Sequence, residues 1–260
     1  MPWLPERMSH AALRSTAGAV LLLVLCATVQ AATSTTVILH AVADNSMYSE
    51  ADAVSDGAGP YIWVGQTHVG NNRRALVRFD LSAVPPGSVV VAARLRIAMS
   101  KSISVGRVVE VRRLLASWGE GTSTGGAGGA GGAATAADVT WGFRFFGGRV
   151  PWTVPGGDFI TGPPSVSTRV DFSGVTWTWS SAGLASDVQL WLASPADNFG
   201  WILIGDEAER SAMRFESRNG FTGPVLELDV IPASANVPIP LPWLIVGGCL
   251  MLGVLLGRRR

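Results

Sequence analysis

The chain has 260 residues, with 20 Lys+Arg against 19 Asp+Glu, a formal net charge of +1 and 48% apolar residues. That apolar content excludes a disordered chain, and the near-neutral balance excludes both a polyelectrolyte and the basic face of a nucleic-acid binder. Mean hydropathy is +0.32, and much of it sits at the two ends.

Residues 1–31 read as a secretory signal peptide. Arg7 and Arg14 supply a positive start, Ala17–Leu25 is an apolar run too short to span a membrane, and Val29 and Ala31 place small side chains ahead of a cleavage point. Cys26 raises a lipoprotein alternative, but Leu25 stands where a lipobox needs Gly, Ala or Ser.

Residues 32–235 form the expected folded domain, and residues 32–237 hold no cysteine, so a disulfide, a cysteine-zinc site and a cysteine nucleophile are all excluded there. These 206 residues carry 15 basic and 18 acidic groups, a mildly acidic balance, and Lys101 is the only lysine. Period-two alternation predicts strands. In Ala75–Leu81 one face holds Ala75, Val77, Phe79 and Leu81, and the other Arg78 and Asp80. In Val89–Met99, Leu95, Ile97 and Met99 point inward and Arg94 and Arg96 outward, with Pro85-Pro86-Gly87 as the preceding turn.

Further strands are expected over Arg107–Leu115, Ser165–Phe172, Trp201–Gly205, Met213–Ser217 and Val225–Val230. Leu184, Val188 and Trp191 fall at helical spacing ahead of Pro195, which predicts one short helix. Many short strands without βαβ alternation point to an all-β, jelly-roll-type β-sandwich. The glycine-rich run 119–135 is expected to be a flexible loop between strands, with no Lys-Ser/Thr to make it a phosphate loop.

The C-terminal residues 236–260 join a Pro motif (Val237, Pro238, Pro240) to 19 uncharged residues, Ile239–Gly257, and a terminal triplet Arg258, Arg259 and Arg260. As a helix the apolar run would measure ~28 Å, enough for a transmembrane helix that attaches the chain to the membrane, with the Arg triplet on the cytoplasmic side. Signal and anchor together predict an exported protein at the outer face of the membrane, the cell surface or the extracellular matrix. The three-part layout resembles the PEP-CTERM class of sorting signals in its Val-Pro-x-Pro form, which implies an exosortase-type sorting enzyme as a partner. A permanent anchor is the alternative.

Catalytic groups are sparse. Only His40 and His68 remain between the ends, no Gly-x-Ser-x-Gly elbow accompanies them, and no paired histidines suggest zinc. A structural Ca²⁺ held by Asp44, Asp52, Asp56 or backbone carbonyls stays open, although the spacing of an EF-hand is absent. Asp206-Glu207-Ala208-Glu209 is the densest acidic stretch and reads as a solvated hairpin loop.

Aromatic residues give the better functional signal. Exposed indoles stack on the apolar faces of sugar rings, while buried ones are core. Trp141 and Trp152 flank a loop containing Arg144 and Arg149, whose guanidinium forks match uronate carboxylates. Trp177 and Trp179 share one strand face, a sugar platform if outward and core if inward.

The segments Trp63–Gly65, Asn72–Ser82, Val84–Ser88, Ala93–Leu95, Val111–Arg113, Trp118–Glu120, Val139–Trp141, Asp187–Trp191, Asn198–Trp201 and Phe215–Arg218 occur in that order. Together they resemble the DNRLRE domain family, also classed as carbohydrate-binding module family 96, across about Val37 to Val230. Asn219 stands where the family commonly has an acidic residue, and the glycine insertion is a second departure. The resemblance implies a non-catalytic secreted module that binds extracellular polysaccharide, acidic polymers among them. A structural matrix or adhesion protein is the alternative, and a polysaccharide-cleaving enzyme a third.

Overall fold

The computed structural model describes residues 33–233. The signal-peptide expectation over 1–31 and the sorting-signal expectation over 236–260 lie outside them. The described chain runs β1 (Thr35–Tyr48), β2 (Val54–Ser55), β3 (Tyr61–Gln66), β4 (Asn72–Phe79), β5 (Val89–Ser102), β6 (Arg107–Arg113), β7 (Gly132–Ala133), β8 (Phe143–Phe145), β9 (Val150–Pro151), β10 (Val166–Val170), β11 (Val175–Ser180), α1 (Ala182–Ala193), β12 (Trp201–Ile204), β13 (Met213–Glu216) and β14 (Val225–Ile231).

Two strands change partner midway, and this decides the architecture. The first half of β1 pairs antiparallel with β14, from Thr35 opposite Val230 to His40 opposite Val225. After a register shift between Ala41 and Ala43, its second half pairs with β4. A bulge at such a shift bends the strand and raises its twist. Strand β3 pairs with β13 through Tyr61–Val64 and then reaches β4 through Gly65 and Gln66. Gly65 has φ +92°, a backbone state that L side chains rarely adopt. With these two corners the ladder β1-β14-β5-β13-β3-β4 returns to β1 and closes a six-stranded barrel.

Strands β12, β6 and β10 extend in turn from β4, and β11 extends from β5. The expected jelly-roll sandwich is therefore corrected. An open sandwich leaves edge strands on each sheet, whereas here β1 and β3 belong to both ladders and the β1–β4 pairing closes the ring.

The expected transmembrane helix Ile239–Gly257, and membrane attachment through it, fall on residues outside the described ones. Among the described residues no helix is long and apolar enough to cross a membrane. Helix α1, 12 residues long, starts at Ser181, whose hydroxyl accepts from the Leu184 amide at 3.1 Å. It buries Leu184, Val188 and Trp191 against the main core.

That core includes Val64, Ala75, Val77, Phe79, Leu95, Ile97, Met99, Trp179, Trp201, Phe215 and Leu228. Each such aliphatic or aromatic side chain contributes about 1.5–3 kcal/mol by leaving water. A second cluster lies on the other face of β4 and β12: Ala43, Met47, Leu76, Leu114, Trp118, Val139, Trp152 and Ile202. It is covered by the long connection from β6 to β10, so β4 and β12 are buried on both faces.

The glycine-rich run 119–135 lies folded in that connection as a strap. Its β7 pairs with β2, the Gly125 amide donates to Asp56 at 2.5 Å, and Gly129 O accepts from Arg73 at 3.3 Å.

Candidate functional site

The connection over β4 and β12 shapes a cleft of about 800 Å³. Its wall starts at β8 and β9, a small hairpin that returns the chain toward Leu115–Ser117 at the end of β6. Phe159 and Phe199 line it, and Leu115 and Val154 expose 50% and 62% of their surface beside it. This mixture of apolar walls and few polar groups is the usual make-up of a small-molecule or sugar site.

Three charged residues line the cleft: Arg74, Arg144 and Asp158. Arg74 is neutralised by a bidentate pair with Glu207, at 2.7 and 2.8 Å, and donates to Gly156 O at 2.8 Å. The Asp158 carboxylate accepts from the amides of Thr153 and Val154 at 3.1 and 3.2 Å, which fixes the turn between them. Arg144 differs. Its Nε donates to Pro151 O at 3.3 Å, and its Nη1 to Ser117 O and Oγ at 3.1 and 3.3 Å. These acceptors position the guanidinium without cancelling its charge, and Arg144 makes no ion pair among the described residues.

The other sequence-selected residues fall elsewhere. Arg149 turns the hairpin at φ 45° and lays its guanidinium 4.8 Å above the Phe143 ring, outside the cleft lining. Trp141 is half-buried, its ring 4.7 Å from the Arg74 guanidinium. Trp152, at 3% exposure, belongs to the second core cluster, and its Nε1 donates to Thr140 O at 3.0 Å. As a sugar platform Trp152 is corrected: a buried indole has no face to offer.

The shared face of Trp177 and Trp179 points inward. Trp179 is fully buried, 5.9 Å from Phe215, and donates to Val109 O at 3.1 Å. Trp177 is half-buried at the margin of the same core, with Phe172 at 5.6 Å and its Nε1 donating to Phe172 O at 3.0 Å. Of the two readings of this face the inward one describes it: both rings pack on the core. The sorting-signal residues Val237, Pro238, Pro240, Arg258, Arg259 and Arg260 lie outside the described residues.

Other charged groups are engaged within the fold. Arg218 pairs with Glu120. Arg78 sits 5.6 Å from the Trp118 ring, while Asp80 accepts from Ser82 N and Oγ, bonds that hold its carboxyl below the usual range. The stretch 206–209 is engaged with the sheet: Glu207 with Arg74, and Asp206 and Glu209 with Arg107 at 3.0 and 2.6 Å.

Among the Ca²⁺ candidates, Asp44 and Asp56 are buried and Asp52 is exposed. Among the described residues no group of three His, Cys, Asp or Glu side chains is placed to hold a metal ion. Burial pushes the Asp44 carboxyl up to about 7 and the Asp56 carboxyl up to about 6.

Sequence reasoning missed Leu115, Ser117, Asp158, Phe159 and Phe199 as cleft residues. Only Phe199 carried a signal, since it lies in the segment Asn198–Trp201, and its carbonyl accepts from Trp118 Nε1 at 2.8 Å. Neither protein-family models nor curated proteins give a match to this chain, so the likeness to the DNRLRE domain rests on its ordered segments alone.

Proposed function

We propose that this protein is a non-catalytic module that binds acidic polysaccharide in the cleft beside Arg144. The observation that carries the reading is the state of that guanidinium. It is held by Ser117 and Pro151, and among the described residues it meets no carboxylate and Nη2 makes no hydrogen bond. A uronate carboxylate approaching Nη2 would find a charge already oriented, so little side-chain entropy is lost on binding. The apolar lining of Leu115, Val154 and Phe159 supplies contact for the C–H faces of a sugar ring. The ordered segments that resemble the DNRLRE family support the same class of ligand.

The test is affinity electrophoresis of the full chain in gels containing a polyuronate or a neutral glucan. Retardation by the polyuronate is expected, weakening as salt is raised. It is expected to disappear in Arg144→Gln, whose thermal unfolding stays unchanged. Equal retardation of the variant, or none of the parent protein by any polyuronate, overturns the reading and leaves a structural matrix role.

A further inference from the structure

Strands β5, β13 and β3 place three side chains in one row. Arg214 stands directly opposite Trp63 on one side and Lys101 on the other. Opposed residues in an antiparallel pair project from the same face. Their neighbours Ile62, Val64, Met213 and Phe215 lie in the main core, so the row is on the outer face.

Two cations in direct opposition repel, and no carboxylate relieves them: neither Lys101 nor Arg214 makes an ion pair among the described residues. The Arg214 guanidinium instead lies 3.9 Å from the Tyr61 ring centroid, donating to Ser100 Oγ at 3.0 Å and Ala127 O at 3.2 Å. The second of these acceptors belongs to the strap.

The strap passes over this row and roofs it. A Cβ at Gly129 would sit 3.0 Å from the Trp63 ring, so only glycine lets the backbone come this close. Between strap and sheet lies a pocket of about 120 Å³, lined by Lys101, His68, Trp63, Gly128 and Gly129. Arg73 also lines it, but two short bonds to Glu50, at 2.6 and 2.5 Å, neutralise it. Lys101 is therefore the pocket's uncompensated cation, and the Arg214 charge stands beside it. The volume equals the liquid share of about four waters, too little for a sugar ring and enough for one small charged group.

We propose that this pocket binds a tetrahedral oxyanion, a sulfate or a phosphate group carried as an ester on a larger molecule. Lys101 supplies a compact point charge, His68 a second polar contact, and the strap backbone closes the other side. Anion binding removes the Lys101–Arg214 repulsion, so the bound form is the more stable.

The test is calorimetric titration of the full chain with sodium sulfate and with sodium phosphate, ionic strength being held constant with sodium chloride. Saturable one-site binding is expected, together with a rise in melting temperature. Lys101→Gln is expected to weaken it at least tenfold and to raise the melting temperature of the anion-free protein, while Arg144→Gln leaves the binding unchanged. Tighter binding of sulfate assigns a sulfate ester as the source, and tighter binding of phosphate a phosphate ester. No saturable binding, binding unaltered by Lys101→Gln, or equal loss in Arg144→Gln overturns the proposal.

Discussion

Arg218 and Glu120, 98 positions apart in the chain, face each other through two parallel hydrogen bonds: Arg218 Nε to Glu120 Oε1 and, at 2.7 Å, Nη2 to Oε2. The pair joins the end of β13 to the root of the glycine-rich strap. Asp44 lies beneath it, its amide donating to Glu120 Oε1 at 2.9 Å and its Oδ2 accepting from the Arg218 amide at 2.6 Å. Asp44 Oδ1 is buried with no partner. Glu120 holds the Arg218 guanidinium and Asp44 only its backbone amide, and burial raises the Asp44 carboxyl above the ordinary range.

That arrangement fixes the sign of a pH dependence. Asp44 and Asp56 have folded-state values of about 7 and about 6, both above the ordinary 3.8. The folded protein therefore holds more protons than the unfolded chain across this interval. The stabilising contribution is fully present below pH 3.8 and is lost as pH rises through 6 and 7. Each group changes stability by at most ~1.4 kcal/mol per pH unit. Chemical denaturation between pH 5 and pH 8 is expected to show stability falling with pH. Asp44→Asn should flatten the upper part of that fall and leave the variant more stable than the parent at pH 8. A parent profile flat from pH 5 to pH 8 would contradict the assignment.

The strap separates glycines that are required from glycines that are tolerated. Gly131 has φ +68°, and a Cβ there would lie 2.5 Å from Val54 Cγ1 and 2.8 Å from Tyr48 Cζ. Gly128 has nothing within 4 Å of its Cβ position and no left-handed φ. Gly131→Ala is therefore expected to cost about 1–3 kcal/mol through overpacking and backbone strain, and Gly128→Ala to be close to neutral. Urea denaturation of the two variants checks the contrast. Equal effects would mean that the strap is not packed as described.

Some of this was legible in the residues and some was not, and the division follows burial. In β4, Ala75, Val77 and Phe79 alternate because Arg74 and Arg78 project to the other side, and in β5 Arg94 and Arg96 leave the core to pair with Asp229 and Glu227. Alternation fails where both faces are covered. Leu76 breaks the alternation of β4 under the second cluster, Trp201, Ile202 and Leu203 of β12 are all buried, and the second half of β1 buries Asp44, Asn45 and Ser46 in succession. Nor could spacing give closure into a barrel, which depends on β1 and β3 each serving two ladders. Of the cleft, Arg144 was legible because a cation among aromatics stands out. Its neighbours Ser117, Asp158 and Phe159 carry no pattern that marks them. The tryptophans misled because an indole reads the same in a core as on a platform.

Trp152 makes that last point measurable. It fills the second cluster with Met47, Leu76 and Ile202, and its Nε1 satisfies Thr140 O. Trp152→Ala is expected to lower stability by about 3–5 kcal/mol. Any loss of sugar binding in that variant would then follow from unfolding, so binding must be compared with circular dichroism at the same temperature. Trp152→Phe should recover part of the stability, losing the hydrogen bond, about 0.5–1.5 kcal/mol, and leaving a smaller cavity than alanine does. A stable, well-folded Trp152→Ala would return this residue to the surface.

Asp187 ties α1 to the sheet. It is 6% exposed, its Oδ2 accepts from Trp201 Nε1 at 2.8 Å and from Ser165 Oγ at 2.5 Å, and its Oδ1 lies 3.1 Å from Arg113. Trp201 in turn packs 4.6 Å from Trp191 of the helix. Removing the carboxylate leaves the half-buried Arg113 guanidinium without its partner and the buried Trp201 indole N–H unsatisfied, so Asp187→Ala is expected to cost about 1–3 kcal/mol. Asp187→Asn keeps the shape and one acceptor and should cost less. Replacing both partners, Asp187→Leu with Arg113→Met, should recover part of the loss because no charge is then left unpaired. Denaturation of the parent, Asp187→Leu, Arg113→Met and the double variant gives the coupling between the two side chains. Additive effects would show that the pair is a surface contact without buried consequence.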